Sequence, residues 1–219
     1  MSPYPHERQI EYWVSRGVED YFDNLGYDVV VLPNTQIAEK VIPYDHLFAG
    51  DGIKVFGFQY KRLHPGPPSD YWKIDVPQFQ KILTFPWIYY ALPEISTIHQ
   101  KRNALHLIVI PRSDAMKKFI VGTSKVKRIP VSALGSGLSY YRWSGFAKKL
   151  FGCKLGWRPK SKTELRNTFR QARELVDYLV DIYIVPLNIN DSKLMIRMTN
   201  SLSIGPNEEH DYDFGIDLR

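Results

Sequence analysis

An α/β (α+β) fold with a mixed central β-sheet flanked by helices follows from three observations. The chain opens with a helical pattern over residues 6–25, where Ile10, Val14, Val18, Phe22 and Leu25 recur at helical spacing. Three β-rich runs follow over residues 27–32, 41–48 and 54–63, separated by turn residues. A helical stretch over 76–92 and a run over 104–110 that reads as a fully buried strand complete the series. The order helix–strand–strand–strand–helix–strand is that of a sheet covered by helices.

Each element has a local reason. Gly26 stands where a helix C-terminal glycine belongs, directly after the last apolar repeat. Pro33-Asn34 stops the first strand. Ala49-Gly50-Asp51-Gly52 separates the second and third runs as a hairpin turn would, with Asp51 a turn-surface acid. The stretch His64-Pro65-Gly66-Pro67-Pro68-Ser69-Asp70 reads as a rigid loop. Pro86 kinks or divides the helix expected over 76–92. Beyond residue 112 the order is less regular. Residues 117–121 fit a strand or a short hairpin with 125–131, 139–151 and 161–185 fit helices (the second ended by Pro186), and 194–198 fits a late strand. The glycines around Leu134-Gly135-Ser136-Gly137 are no Walker loop, because the Lys-Ser/Thr pair is missing. The chain divides into a core over residues 1–111 and a basic, aromatic-rich C-terminal extension over 112–219, which completes the same domain or forms a nucleic-acid-binding lobe.

Composition narrows the class. At 219 residues, with 44% hydrophobic and 24% charged residues, the chain can bury a substantial core. A single cysteine, Cys153, excludes an internal disulfide and a cysteine-based zinc site. The N-terminus lacks a signal-peptide apolar stretch and no run reaches membrane-spanning length, which implies an intracellular, cytoplasmic setting. The net charge of +6 is unevenly placed: residues 112–170 carry fifteen Lys/Arg against Asp114 and Glu164. That concentration marks a surface for a polyanion. Lys117, Lys118, Lys125, Lys127, Arg128, Arg142, Lys148, Lys149, Arg158 and Lys160 are the candidate nucleic-acid contacts. Tyr140, Tyr141, Trp143, Phe146, Phe151 and Trp157 are interleaved with them, either to stack on bases or as core beneath a solvated face.

The chemistry concentrates between residues 45 and 61. Strand alternation puts Gln59 and Lys61 on one face, with Phe58 and Tyr60 on the other, and a hairpin brings Asp45 across from the Gln59/Lys61 pair. An acid, an amide oxygen and an ammonium then meet, which suits metal-dependent phosphodiester hydrolysis. Singly each residue is more often structural; it is their combination after an acid-bearing helix that points to chemistry.

The segment Pro43-Tyr44-Asp45-His46-Leu47-Phe48-Ala49-Gly50-Asp51-Gly52 followed by Phe58-Gln59-Tyr60-Lys61 resembles the PD-(D/E)xK nuclease superfamily, which includes restriction endonucleases and archaeal Holliday-junction resolvases. The resemblance spans about residues 7–110 and implies a restriction-endonuclease-like core. Two features depart from the pattern: Gln59 stands where the family usually has a carboxylate, as in Mrr-like members, and Tyr44 separates Pro43 from Asp45. A neutral ligand at position 59 lowers affinity for Mg²⁺, which prefers anionic oxygen. The resemblance implies that Asp45, Gln59 and the Tyr60 carbonyl hold Mg²⁺ (Mn²⁺ as a substitute), that Glu11, with Glu7 in reserve, adds a carboxylate from the first helix, and that Lys61 holds the attacking water. It implies a DNA endonuclease acting as a homodimer. A catalytically inert DNA-binding protein on the same fold and an RNA-directed nuclease or binder are the alternatives. Gln78 and Gln80 stand at the start of the next helix, where they either reach the same pocket or form a polar helix end. His64, His99 and His106 lack ligand spacing and read as structural.

Overall fold

The computed structural model describes residues 4–34, 42–50, 54–152 and 154–169, together with the isolated positions 176, 177, 179, 180 and 183. Cys153, Asp51, Arg170, Pro186 and the segment expected as a late strand, 194–198, lie outside them.

The first helix, α1 (Glu7–Asn24), buries the stripe Ile10, Val14, Val18 and Phe22. It ends in a Schellman arrangement. Gly26 takes a left-handed φ of 77°, its N–H bonds to Asp23 O, and Tyr27 N–H reaches Phe22 O. The chain then enters β1 (Val29–Pro33), β2 (His46–Gly50) and β3 (Phe56–Tyr60), an antiparallel meander. Gly50 lies so close to the Asp28 carbonyl that a side chain could not be accommodated.

After β3 the chain leaves the central sheet. Strands β4 (Leu63–His64) and β5 (Tyr71–Asp75) pair antiparallel, and β8 (Val126–Pro130) joins the far side of β5, making a second, three-stranded sheet. The stretch expected as a plain loop thus begins inside a strand. Asp75 then caps α2 (Val76–Ile82) by accepting from Gln78 N–H at 2.8 Å. The helix expected to run to residue 92 stops at Ile82; Ile88–Pro93 is strand β6, parallel to β3. All six β6 residues are buried, on a strand with neighbours on both sides. A continuous apolar run of that length fits a central strand as well as a helix, and the parallel pairing decides it.

The apolar run near residue 104 is trimmed to β7 (Ile108–Pro111), preceded by a turn. A short helix α3 (Ser113–Met116) follows, and residues 117–121 form turns, not a strand. The expected partner of 125–131 is therefore replaced by β5. Strand β9 (Tyr140–Tyr141) closes the edge of the main sheet, whose order is β1-β2-β3-β6-β7-β9. Helices α4 (Trp143–Phe151) and α5 (Lys162–Thr168) follow. The described chain after residue 112 thus supplies a strand to each sheet, and Val55 bridges to Trp157.

The main sheet separates two cores, sorted by strand alternation. On one face Phe48, Phe56, Phe58, Tyr60, Tyr89, Ala91, Ile108 and Ile110 pack on α1 and on Trp143, Phe146 and Leu150 of α4. On the other, Leu47, Ala49, Tyr90, Leu92 and Val109 pack on α2 and on Trp72, Ile74 and Ile129 of the second sheet. No helix of the described residues is long and apolar enough to cross a membrane.

Candidate functional site

The hairpin register delivers the expected juxtaposition. His46 pairs with Phe58, so the next position outward sets Asp45 opposite Gln59. Asp45 N–H donates to Phe58 O at 2.8 Å, and Asp45 O accepts from Asn34 N–H at 2.8 Å. The peptide is therefore held on both sides just beyond the end of β2. Asp45 Oδ2 accepts from Gln59 Nε2 at 2.7 Å and from Tyr60 N–H at 2.6 Å.

Burial pushes the Asp45 carboxyl up to about 7. The Tyr60 N–H bond and the positive charge of Lys61 pull it back down, while Glu11 and Glu7 push it up. Lys61, Glu11 and Glu7 thus each lie within electrostatic reach of Asp45. A carboxyl with this balance changes protonation near neutral pH, as groups at functional sites often do. Glu7 Oε2 accepts from Arg62 N–H at 3.0 Å, which ties the start of α1 to the chain leaving β3. Glu11 lines a cavity of about 330 Å³ with Arg8, Tyr12, Ser15, Arg16, Glu19, Val31 and His46. The reserve acid thus braces the strand end, and the preferred acid stands at an open pocket.

Gln59 is 1% exposed. Its Nε2 serves Asp45, and its Oε1 has no hydrogen-bond partner. An amide oxygen buried without a partner is costly unless something else meets it. Tyr90, Gln59's register partner on β6, holds a second buried oxygen without a partner. Its hydroxyl is pushed up by burial and by the Asp75 and Asp45 charges. Tyr90 is a neighbour of the candidate site that sequence reasoning misses, because the apolar run holding it reads as the end of a helix.

Among the described residues, no three His, Cys, Asp or Glu side chains gather closely enough to hold a metal by themselves. A divalent cation would depend on a mixed set. The Asp45 carboxylate and the unpartnered Gln59 Oε1 fit that need, being hard oxygen donors. Gln78 is partly buried and Gln80 is exposed at the start of α2.

A second polar group on the α1 side also escapes sequence reasoning. The Ser15 hydroxyl lies 2.8 Å from His46 Nδ1 and 3.1 Å from the Tyr60 hydroxyl. Burial lowers the His46 pKa and raises that of Tyr60 well above its ordinary value, so the group is uncharged at neutral pH. It links α1, β2 and β3 behind the Asp45 site. Its signal in the sequence is Ser15 on the otherwise apolar stripe of α1.

The two faces of the main sheet share the basic residues. Exposed Lys125 and Arg128 and partly exposed Lys127 belong to the second-sheet side, and exposed Lys117 and Lys118 follow α3, whose buried residues join the same core. Exposed Lys148 and partly exposed Lys149 extend from α4 on the α1 side. Exposed Arg158 and Lys160 precede α5. Arg142 is ion-paired with Glu94 and lies 5.4 Å over the Tyr140 ring; Lys149 lies 5.6 Å over Tyr141. The aromatics expected to meet bases are largely structural. Trp143 and Phe146 are fully buried, and Trp157 stacks on Trp87 at 5.5 Å. The apolar repeat of α4 turns Trp143 and Phe146 into the core beneath its lysines. Compared with known proteins, the chain matches no protein-family model, no curated protein and no solved structure.

Proposed function

We propose that the protein is a metal-dependent DNA endonuclease whose site is Asp45, Gln59 and Lys61, with Glu11 and the Tyr60 main chain completing it. The observation that carries this reading is the double placement of Gln59: Nε2 bonded to Asp45 and Oε1 buried with no partner. The element order, with an acid-bearing helix, a hairpin and a parallel strand after a crossover helix, supports it. It is also the order expected of a PD-(D/E)xK-like, restriction-endonuclease-like core.

Asp45, Gln59 Oε1, the Tyr60 carbonyl and Glu11 would hold Mg²⁺ or Mn²⁺. When bound, the ion supplies Lewis-acid stabilisation of the phosphate and a more acidic water. The protein's own groups do the rest. Gln59 Nε2 and Tyr60 N–H orient the Asp45 carboxylate. The Lys61 charge favours its ionised form and stands ready to neutralise charge developing on phosphate. A homodimer, bringing two such sites to two strands, is part of the proposal.

A second reading is a DNA-binding protein on the same fold without catalysis. It is favoured by the Asp45 carboxylate already having two donors without any ion. The test is incubation with supercoiled plasmid and a four-way junction in Mg²⁺, Mn²⁺ or EDTA, alongside Lys61→Ala and Asp45→Ala. Metal-dependent nicking lost in both variants is expected. Salt-sensitive binding without cleavage in any metal would move the assignment to the inert binder. Preferential binding of single-stranded RNA over duplex DNA would overturn the DNA assignment.

A further inference from the structure

We propose that the outer face of the β4–β5–β8 sheet is a phosphate track that holds the nucleic-acid backbone, built by Arg62, Lys73 and Arg128 around the Tyr71–His64 stack. The inference rests on the nucleic-acid reading above and names the surface that grips the strand.

The face is defined by alternation. Leu63, Trp72, Ile74 and Ile129 point inward and are buried. His64, Tyr71, Lys73 and Arg128 occupy the alternate positions, with Lys73 and Arg128 exposed. Lys73 and Arg128 are directly opposed across the strands. Like charges facing each other this way destabilise a sheet unless an anion comes between them. Arg128 lies 4.6 Å over the Tyr71 ring, and Tyr71 stacks on His64 at 5.5 Å with ring planes 13° apart. Arg62 Nη2 approaches His64 Nδ1 at 3.4 Å. Three cations thus surround one aromatic pair.

Among the described residues, no carboxylate forms an ion pair with Arg62, Lys73 or Arg128. Asp70 and Asp75, at the two ends of β5, accept from the Tyr4 hydroxyl and from Gln78 N–H and pair with none of the three cations. The positive field is strong enough to act on its neighbour. Burial and the Arg62, Lys73 and Arg128 charges bring His64 down to about 4, so the ring stays neutral beside them. A guanidinium lying flat on a ring keeps its N–H edge available for phosphate oxygens. The chain reaches this sheet directly from Lys61 through Arg62, which makes the track the next segment after the Asp45 site's own strand.

The experiment measures the affinity of the full chain for a labelled duplex DNA in EDTA across a range of KCl concentrations. Wild type, Lys73→Ala/Arg128→Ala, Lys73→Arg and Lys148→Ala/Lys149→Ala are compared, with thermal unfolding of each. Removing one cation that neutralises a phosphate lowers the slope of log K against log salt by about 0.9. The first double variant is therefore expected to show a slope smaller by about 1.8. Its melting temperature should be unchanged or higher, since a like-charge pair is gone. Lys73→Arg should keep the wild-type slope, and the α4 double variant should lower it by less than the track variant does. An unchanged slope in the folded Lys73→Ala/Arg128→Ala variant, or a decrease confined to the α4 variant, overturns the track while leaving the nuclease reading intact. The expected decrease in a protein that never cleaves DNA keeps the track and removes the nuclease. Absence of salt-dependent binding by wild type overturns both.

Discussion

The two faces of the main sheet are built on the same strands and treat polar groups differently. On the α1 face the polar atoms of Ser15, His46 and Tyr60 satisfy one another inside an aromatic core, where Trp143 Nε1 is buried without a partner. On the opposite face Gln59 Oε1 and the Tyr90 hydroxyl are buried without partners, and a partly buried carboxyl sits at the edge of ionisation. A satisfied network adds rigidity, whereas unsatisfied donors and acceptors lower stability unless a ligand meets them. The Ser15–His46–Tyr60 network therefore reads as scaffold, and the Asp45–Gln59–Tyr90 side, which Glu11 joins from α1, as the working surface. Four substitutions separate the two.

The largest effect is expected on the scaffold. Phe58 is fully buried against Phe48, Phe56 and Phe146. Phe58→Ala should cost about 3–5 kcal/mol in chemical denaturation. A decrease below about 1 kcal/mol would mean that the α1 face is not the rigid side.

Next is Lys61→Ala. Cleavage should fall by about 10²–10³-fold, in the range for removing one preorganised electrostatic interaction, with DNA binding and melting temperature little changed. Retained cleavage would remove Lys61 from the chemistry.

Asp45→Asn tests the strain of the working face through pH. The folded carboxyl titrates near 7, above its ordinary value of 3.8, so the folded state binds a proton that the unfolded chain has already released. Stability from Asp45 is thus fully present below about pH 4 and is lost as pH rises through about 7. In the absence of metal, Asp45→Asn should match wild type at about pH 4 and exceed it at about pH 8 by about 2 kcal/mol, allowing for partial exposure. Wild type more stable than Asp45→Asn at the higher pH in EDTA would contradict the raised pKa.

The smallest of the four is Ser15→Ala, which leaves the His46 and Tyr60 polar atoms short of a partner. A destabilisation of about 1–2 kcal/mol with cleavage preserved is expected. A large drop in cleavage without destabilisation would bring Ser15 into the working site.

The hairpin shows how far local pattern reaches. Residues 45 and 59 meet as the sequence leads one to expect, because strand alternation and a Gly-rich turn are short-range properties. The α1 stripe and the left-handed Gly26 are legible for the same reason. Tyr90 is not, since Ile88–Pro93 is apolar throughout and carries neither a helical nor an alternating period. The second sheet is equally hidden: β5 and β8 lie more than fifty residues apart, and nothing in the period of either strand names its partner.

The basic segment shows the same division. Its composition, fifteen cations against two acids over residues 112–170, is plain in the sequence and points to a polyanion. Which cations stand together is decided only in three dimensions, where β8 carries Arg128 to Lys73 on one side and α4 carries Lys148 and Lys149 to the other. The first helix, the hairpin, the Asp45–Gln59 meeting and the excess of positive charge are legible along the chain, because each depends on residues close in sequence. The parallel β3–β6 pairing, the unpartnered oxygens of Gln59 and Tyr90 and the grouping of Arg62, Lys73 and Arg128 emerge in three dimensions, because each depends on strands that meet across long stretches of chain.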